Sequence, residues 1–80
     1  MSPALDGPEP MYRQIASIIA RRVEDGTYPP HALLPTEAEL CAEFDVSRRT
    51  VRSAHALLRE QGWIVSSPGK GTYARGLDGY

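Results

Sequence analysis

A chain of 80 residues with a formal net charge of -1 holds one small domain, with little room for a second core or for the pocketed architecture of most enzymes. At 41% hydrophobic and 24% charged residues it is too apolar for a disordered segment and too polar for a membrane span; Ile18-Ile19-Ala20 is representative of its longest apolar runs. Met1 to Pro10 lacks the basic and apolar parts of a secretory signal, so a cytoplasmic location is expected. One cysteine, Cys41, excludes an internal disulfide, and with two distant histidines it offers no metal-ligand spacing. No cofactor is expected. The core alone must hold the fold, and a domain of this size gains from a partner subunit or a ligand.

The small net charge hides an asymmetry. Residues 1–45 carry three arginines against eight acidic residues, a net -5, whereas residues 46–80 carry five arginines and one lysine against two acidic residues, a net +4. Such a chain can offer a cationic face to a polyanion while its other face stays acidic.

Residues 1–9 contain Pro3, Gly7 and Pro8 and no apolar period, and are expected to form a flexible arm. From Met11, the residues Ile15, Ile18, Ile19 and Val23 follow the spacing of one buried helical stripe up to Gly26, which predicts a helix over roughly 11–25. Three prolines exclude a helix between Thr27 and Pro35, where Ala32-Leu33-Leu34 can add a short strand to a small sheet. Thr36-Glu37-Ala38-Glu39 is a capping box and opens a short helix over about 37–44, with Leu40, Cys41 and Phe44 facing inward. Asp45 must then take a sharp turn, which Asp tolerates better than most residues though less well than Gly. Ser47 caps the next helix and Val46 staples against Val51. Together with Ala54, Leu57, Leu58, Gln61 and the stop at Gly62, they predict a helix over about 48–61. Trp63 to Ser66 and Thr72 to Ala74 read as strands around the turn Ser67-Pro68-Gly69-Lys70-Gly71, and residues 76–80 read as a loose tail.

Two helices joined by three residues form a helix-turn-helix, and the hairpin that follows makes it winged. The expected fold is therefore mainly α with a small antiparallel sheet: three helices plus a β-hairpin wing, spanning residues 10–75. At 100° per residue, Arg48, Arg52, His55 and Arg59 fall near about 0°, 40°, 340° and 20°, with Arg49 near about 100°, whereas Ala54, Leu57 and Leu58 fall at about 180° to 280°. Five actual or potential cations are thus expected on the outer side. Arginine has the planar fork that bonds guanine O6 and N7 together, or a phosphate, and three of them in the first five residues of a capped helix suit a major-groove reader. The free amides at that helix start, with Ser47 and Thr50, add a phosphate-binding end. At the hairpin tip, Gly69 and Gly71 let backbone approach a sugar-phosphate wall, and Lys70 can sit over phosphates or enter the minor groove.

Other candidates have a structural reading at least as good. His55 can touch phosphate or idle on the helix. Cys41 reads as a core residue, and Trp63 and Tyr73 read as packing. Tyr12 and Gln14 either reach a phosphate or, for Tyr12, staple the first helix. No carboxylate pair, nucleophile-base arrangement or phosphate loop supports an enzyme.

With these residues placed, the chain resembles the DNA-binding domain of the GntR family, the gluconate-repressor type of bacterial winged helix-turn-helix regulators. The resemblance runs from about Pro10 to Ala74. It is carried by Pro10-Met11-Tyr12-Arg13-Gln14-Ile15, Gly26, Leu34-Pro35-Thr36-Glu37, Leu40-Cys41-Ala42, Val46-Ser47-Arg48-Arg49-Thr50-Val51-Arg52, Leu57-Leu58, Gln61-Gly62-Trp63-Ile64 and Gly69-Lys70-Gly71-Thr72-Tyr73. The opening Tyr12, Gln14 and Ile15 are most similar to the HutC and YtrA subgroups.

The resemblance implies that Arg48 and Arg52 read bases in the major groove. Arg49 and Thr50 would contact base or backbone beside them, Gly69 and Lys70 would form a minor-groove wing, and Ser47 and Thr36 would touch phosphate. It implies double-stranded DNA with a palindromic operator as partner, dimeric binding, and repression until a small molecule binds a C-terminal domain. Two departures qualify this, with two smaller changes beside them. Ala38 stands where many members carry a base-reading arginine, so a shorter or less stringent operator is expected. The sequence ends at Tyr80, without the effector region, so ligand response in the usual manner is not expected of it. Asp45 replaces the usual glycine and Pro30 follows Pro29, changes the turns should tolerate. The expected function is a sequence-specific DNA-binding transcriptional regulator of repressor type, reading the major groove with helix 48–61 and the minor groove with the 67–71 wing, with affinity supplemented by a homodimer or a heteromeric protein partner. The rival reading is a winged-helix adaptor that binds another regulator or a polymerase subunit.

Overall fold

The computed structural model describes residues 9–76. The arm and the tail expected from the sequence fall, apart from Glu9 and Gly76, outside the described residues. Within them the order is α1 (Met11–Glu24), α2 (Glu37–Phe44), α3 (Arg48–Gln61), β1 (Ile64–Ser67) and β2 (Gly71–Ala74). These are the three helices and hairpin wing expected from periodicity and capping.

Helix α1 begins at Pro10, whose carbonyl accepts from the amides of Arg13 and Gln14, and it buries Ile15, Ala16, Ile19 and Val23 along one stripe. Met11, at the start of that stripe, is exposed. The helix stops at Glu24, and Gly26 then takes the left-handed conformation, φ 85°. Asp25 fixes this exit: its Oδ1 accepts from the Thr27 amide at 2.9 Å and from the Thr27 hydroxyl at 2.7 Å.

Helix α2 has the full capping box. The Thr36 hydroxyl accepts from the Glu39 amide at 3.1 Å, and Glu39 Oε1 accepts from the Thr36 amide at 2.8 Å. Two amides that a helix start leaves without partners are thereby satisfied, a gain of about 1 kcal/mol for a good N-cap. Leu40 and Phe44 are buried and Cys41 is half-buried against the core. Asp45 closes the helix at φ 55°, ψ 53°, in the left-handed turn required of it. Three residues later α3 begins under the Ser47 cap, whose hydroxyl accepts from the Thr50 amide at 3.2 Å.

The core joins Ile15 and Ile19 of α1, Leu40 of α2, and Val51 and Leu58 of α3, all fully buried, to Ile64 and Ala74 of the hairpin. Full burial of each large aliphatic side chain contributes about 1.5–3 kcal/mol, which makes this cluster the dominant stabilising element. Gln61, placed on the inner side by its spacing, is exposed instead at the end of α3, and Leu57 is only half-buried.

The strands pair antiparallel with Ile64 opposite Ala74 and Ser67 opposite Gly71. The strand expected at 32–34 is reduced to a single bridge, Leu33 to Tyr73. Its backbone nonetheless runs along the free edge of β2, with Leu34 N–H donating to Thr72 O at 2.8 Å and Ala74 N–H to Ala32 O at 2.9 Å. Prolines on both sides and the left-handed His31, φ 64°, prevent the pairing from extending. At Gly71 this segment packs directly on the wing. A Cβ there would lie 2.9 Å from Leu33 Cδ1, and its φ of 126° disfavours any side chain.

Between the first two helices, Arg22 of α1 makes a bidentate pair with Glu43 of α2, its Nη1 donating at 3.1 Å and its Nη2 more closely. Nη1 also donates to the Tyr28 hydroxyl at 2.6 Å, and the guanidinium lies 5.5 Å from the Phe44 ring centre. The Glu43 hydrogen bonds raise the Arg22 pKa further, outweighing the opposing effect of partial burial.

Candidate nucleic-acid interface

Helix α3 is held by its apolar side and presents its start to solvent. Arg48, Arg49 and Arg52 are all exposed there, and Thr50 is half-buried behind the Ser47 hydroxyl, which lies 3.1 Å from its own. This hydroxyl pair and the helix cap fix the first turn. The three guanidinium groups therefore project from a rigid base, with the partial positive charge of the helix N-terminus behind them.

Arg52 is oriented from outside the helix. Its Nε donates to both oxygens of Glu37, at 3.3 Å each, while its side chain stays 65% exposed. A hold at Nε leaves the terminal nitrogens of the fork free for a base edge or phosphate. Glu37 belongs to the first turn of α2, so the second helix of the motif positions a side chain of the third. Farther along α3, Arg59 Nη1 donates to Ser66 Oγ at 3.1 Å, tying the helix to β1.

The wing turn closes with Lys70 N–H donating to Ser67 O at 3.0 Å. Pro68 occupies its second position and Gly69 its third, with the positive φ of 76° that a type II turn requires there. Gly69 and Lys70 are both exposed at the tip. Lys70 lines a cleft of about 310 Å³ together with Thr36, Glu37, His55 and Thr72, so the wing and the start of α2 border one depression. A second cleft of about 330 Å³ brings Arg52 together with Glu37, His55, Arg59, Ser66 and Thr72.

Not every expected contact residue joins this surface. Tyr12 is half-buried against the core from α1, consistent with its packing role, and it lines neither cleft. His55 is a correction. Its angular position suggested the outer face, but it is 96% buried by residue, with 4% exposure, because the wing covers that edge of α3. The angle contained a warning: Val51, fully buried, lies only about 40° from His55 on the helical wheel. Burial pushes the imidazole below the ordinary histidine range; Glu37 works against that shift and Arg59 adds to it. Its Nε2 is buried without a hydrogen-bond partner.

Glu37 as the holder of Arg52 and the Arg59–Ser66 tie were both missed by sequence reasoning. Each joins side chains across different elements, and no local spacing reports that. Among the described residues, no cluster of His, Cys, Asp or Glu could hold a metal ion, and no helix is long and apolar enough to cross a membrane.

The family model for bacterial regulatory proteins of the gntR family matches residues 11–74. The mannosyl-D-glycerate transport/metabolism system repressor MngR of Escherichia coli (strain K12) is 46% identical over 69 residues, which cover 86% of this chain and 29% of that protein. The histidine utilization repressor of Pseudomonas putida is 35% identical over 68 residues, covering 85% of this chain and 27% of the repressor. This chain thus spans under a third of the length of these relatives.

Among solved structures, the AraR DNA-binding domain in complex with operator ORX1 matches with a TM-score of 0.82 and 36% identity, over 89% of this chain and 92% of that one. A GntR family transcriptional regulator from Listeria monocytogenes matches with a TM-score of 0.82 and 31% identity, over 89% of this chain and 62% of that one. The relatives and the fold are those of DNA-binding transcriptional regulators and not of enzymes. The residue patterns, the winged helix-turn-helix and the family match over 11–74 agree: the chain belongs to the gntR family of bacterial regulatory proteins.

Proposed function

We propose that this domain binds double-stranded operator DNA sequence-specifically and serves a transcriptional repressor. The observation that carries this reading is the exposed arginine start of α3, Arg48, Arg49 and Arg52, beside an exposed Gly69-Lys70 wing on a fold matched by an operator-bound AraR domain. In this reading Arg48 and Arg52 contact base edges in the major groove, and Arg49 and Thr50 contact base or backbone next to them. Gly69 and Lys70 enter the minor groove, while Thr36 and Ser47 face phosphates. Repression follows the names of the relatives. A palindromic operator and a homodimer supply the affinity that one small module lacks, in a cytoplasmic setting where chromosomal DNA is reached directly.

Selection of bound sequences from a random-sequence duplex library with the purified chain tests this directly. The expected result is enrichment of one motif, with two chains per palindromic site and loss of enrichment in Arg48→Ala. Recovery of unenriched sequence, with binding that disappears at moderate salt, overturns sequence-specific recognition and favours the adaptor reading.

A further inference from the structure

His55 is a buried titratable group that operator reading, as described so far, does not use. It lies three residues after Arg52 on α3, and both line a cleft with Glu37. Glu37 has one carboxylate and already shares it with the Arg52 Nε. The imidazole Nε2 is buried with no hydrogen-bond partner, so a proton placed there would be a buried charge in need of a counter-ion. The groups around it leave little choice. From α2 comes the Glu37 carboxylate, from α3 come the Arg52 and Arg59 guanidinium groups, and from the wing comes the Lys70 ammonium. Ser66 and Thr72 add only hydroxyls. Glu37 is thus the one anion among the cleft residues that an imidazolium at position 55 can turn to.

We propose that His55 is a positioning residue for Arg52, acting through Glu37: the neutral ring leaves the carboxylate to Arg52, and the protonated ring competes for it, loosening Arg52 and weakening discrimination at the base it reads. The inference rests on Arg52 being a base reader. It deepens that reading by making operator discrimination dependent on pH. Nonspecific attraction to phosphate does not weaken with it, since protonation adds positive charge to this face. Burial as the largest influence on His55 places its titration below the ordinary histidine range, so the loosening occurs on the acid side of that range rather than at neutral pH.

The experiment uses the full 80-residue chain and the duplex enriched from the random library, with every single-base variant of that duplex. Arg52→Ala first locates the position whose discrimination Arg52 supplies. The ratio of affinities for the preferred and substituted base at that position is then measured at pH 7.5 and at pH 5.5, for the wild type, His55→Leu, His55→Gln and Glu37→Gln. The wild-type ratio is expected to fall several-fold on acidification. His55→Leu keeps the neutral-pH ratio at both pH values, and Glu37→Gln has the lowered ratio at both. His55→Gln serves where the leucine variant does not fold, with the same expectation. A second readout is the His55 ring signal by NMR, which should titrate in the folded domain and shift upward in pKa when Arg52 is replaced by alanine.

A wild-type ratio unchanged with pH, or one that falls equally in both His55 variants, overturns the inference. If Arg52→Ala changes discrimination at no position, the base-reading role of Arg52 fails instead. The two failures are distinguishable because the first leaves the Arg52-dependent position intact at neutral pH.

Discussion

Helix α2 is tied to its neighbours by two arginine–carboxylate pairs that are built differently. On the back of the domain, Arg22 grips Glu43 with both terminal nitrogens, reaches the Tyr28 hydroxyl and lies over the Phe44 ring, with a side chain only 21% exposed. On the front, Arg52 is held by Glu37 through Nε alone, with contacts of 3.3 Å and 65% exposure. The first guanidinium turns both of its terminal nitrogens to partners within the protein. The second keeps its donors available. A framework arginine and an arginine proposed to read DNA are thus distinguished by which nitrogens are occupied and how much water they see, rather than by residue type or by the presence of a carboxylate partner.

The double variant Arg48→Ala/Arg52→Ala should produce the largest effect. At about 1–3 kcal/mol for each base-reading arginine, selected-operator affinity should fall by roughly 2–6 kcal/mol, while the thermal midpoint stays close to wild type. Measured by anisotropy on labelled duplex and by thermal unfolding, an intact affinity would remove Arg52 from the recognition side of the comparison. Arg22→Ala should do the reverse. Loss of its charged hydrogen bonds and of its packing on Phe44 should lower stability by about 1–3 kcal/mol in denaturant titrations, with base discrimination unchanged in the folded protein.

Smaller effects sharpen the contrast further. Thr36→Ala removes the capping box next to Glu37 and should cost about 1 kcal/mol of stability. Lys70→Ala should leave stability unchanged and reduce the slope of log affinity against log salt by about one, the signature of one lost phosphate contact. The pH dependence of stability separates two regions of the molecule. His55 has a lowered folded pKa, so the unfolded chain takes up its proton first, and stability falls as pH drops below the unfolded value of 6.5. Asp25, held low by the Thr27 hydrogen bonds, acts in the same direction only below 3.8. Thermal midpoints measured from neutral to acid pH should show the first loss in wild type and not in His55→Leu, and only the second loss should be sensitive to Asp25→Asn.

Most of the framework was legible in the chain because its causes are local. The bounds of α2 and α3 follow from Thr36, Ser47, Asp45 and Gly62, residues that start or stop helices by their own backbone and side-chain chemistry. The exposed start of α3 was legible for the same reason: Arg48, Arg49 and Arg52 follow a cap and alternate with buried Val51 and Ala54. The segment at 32–34 was legible only in part. Its apolar residues announced a sheet partner, but the prolines and the left-handed His31 confined the pairing to one bridge.

The sequence by itself determined the helices, the tight turn, the exposed cationic start of α3 and the hairpin, because periodicity, capping and turn chemistry act over a few residues. Tertiary structure alone decided that His55 is buried, that Glu37 holds Arg52 and that Arg59 ties α3 to the wing. Those outcomes depend on where the hairpin and α2 pack against α3, and a position at the edge of a helical stripe becomes core or surface only when its neighbour arrives.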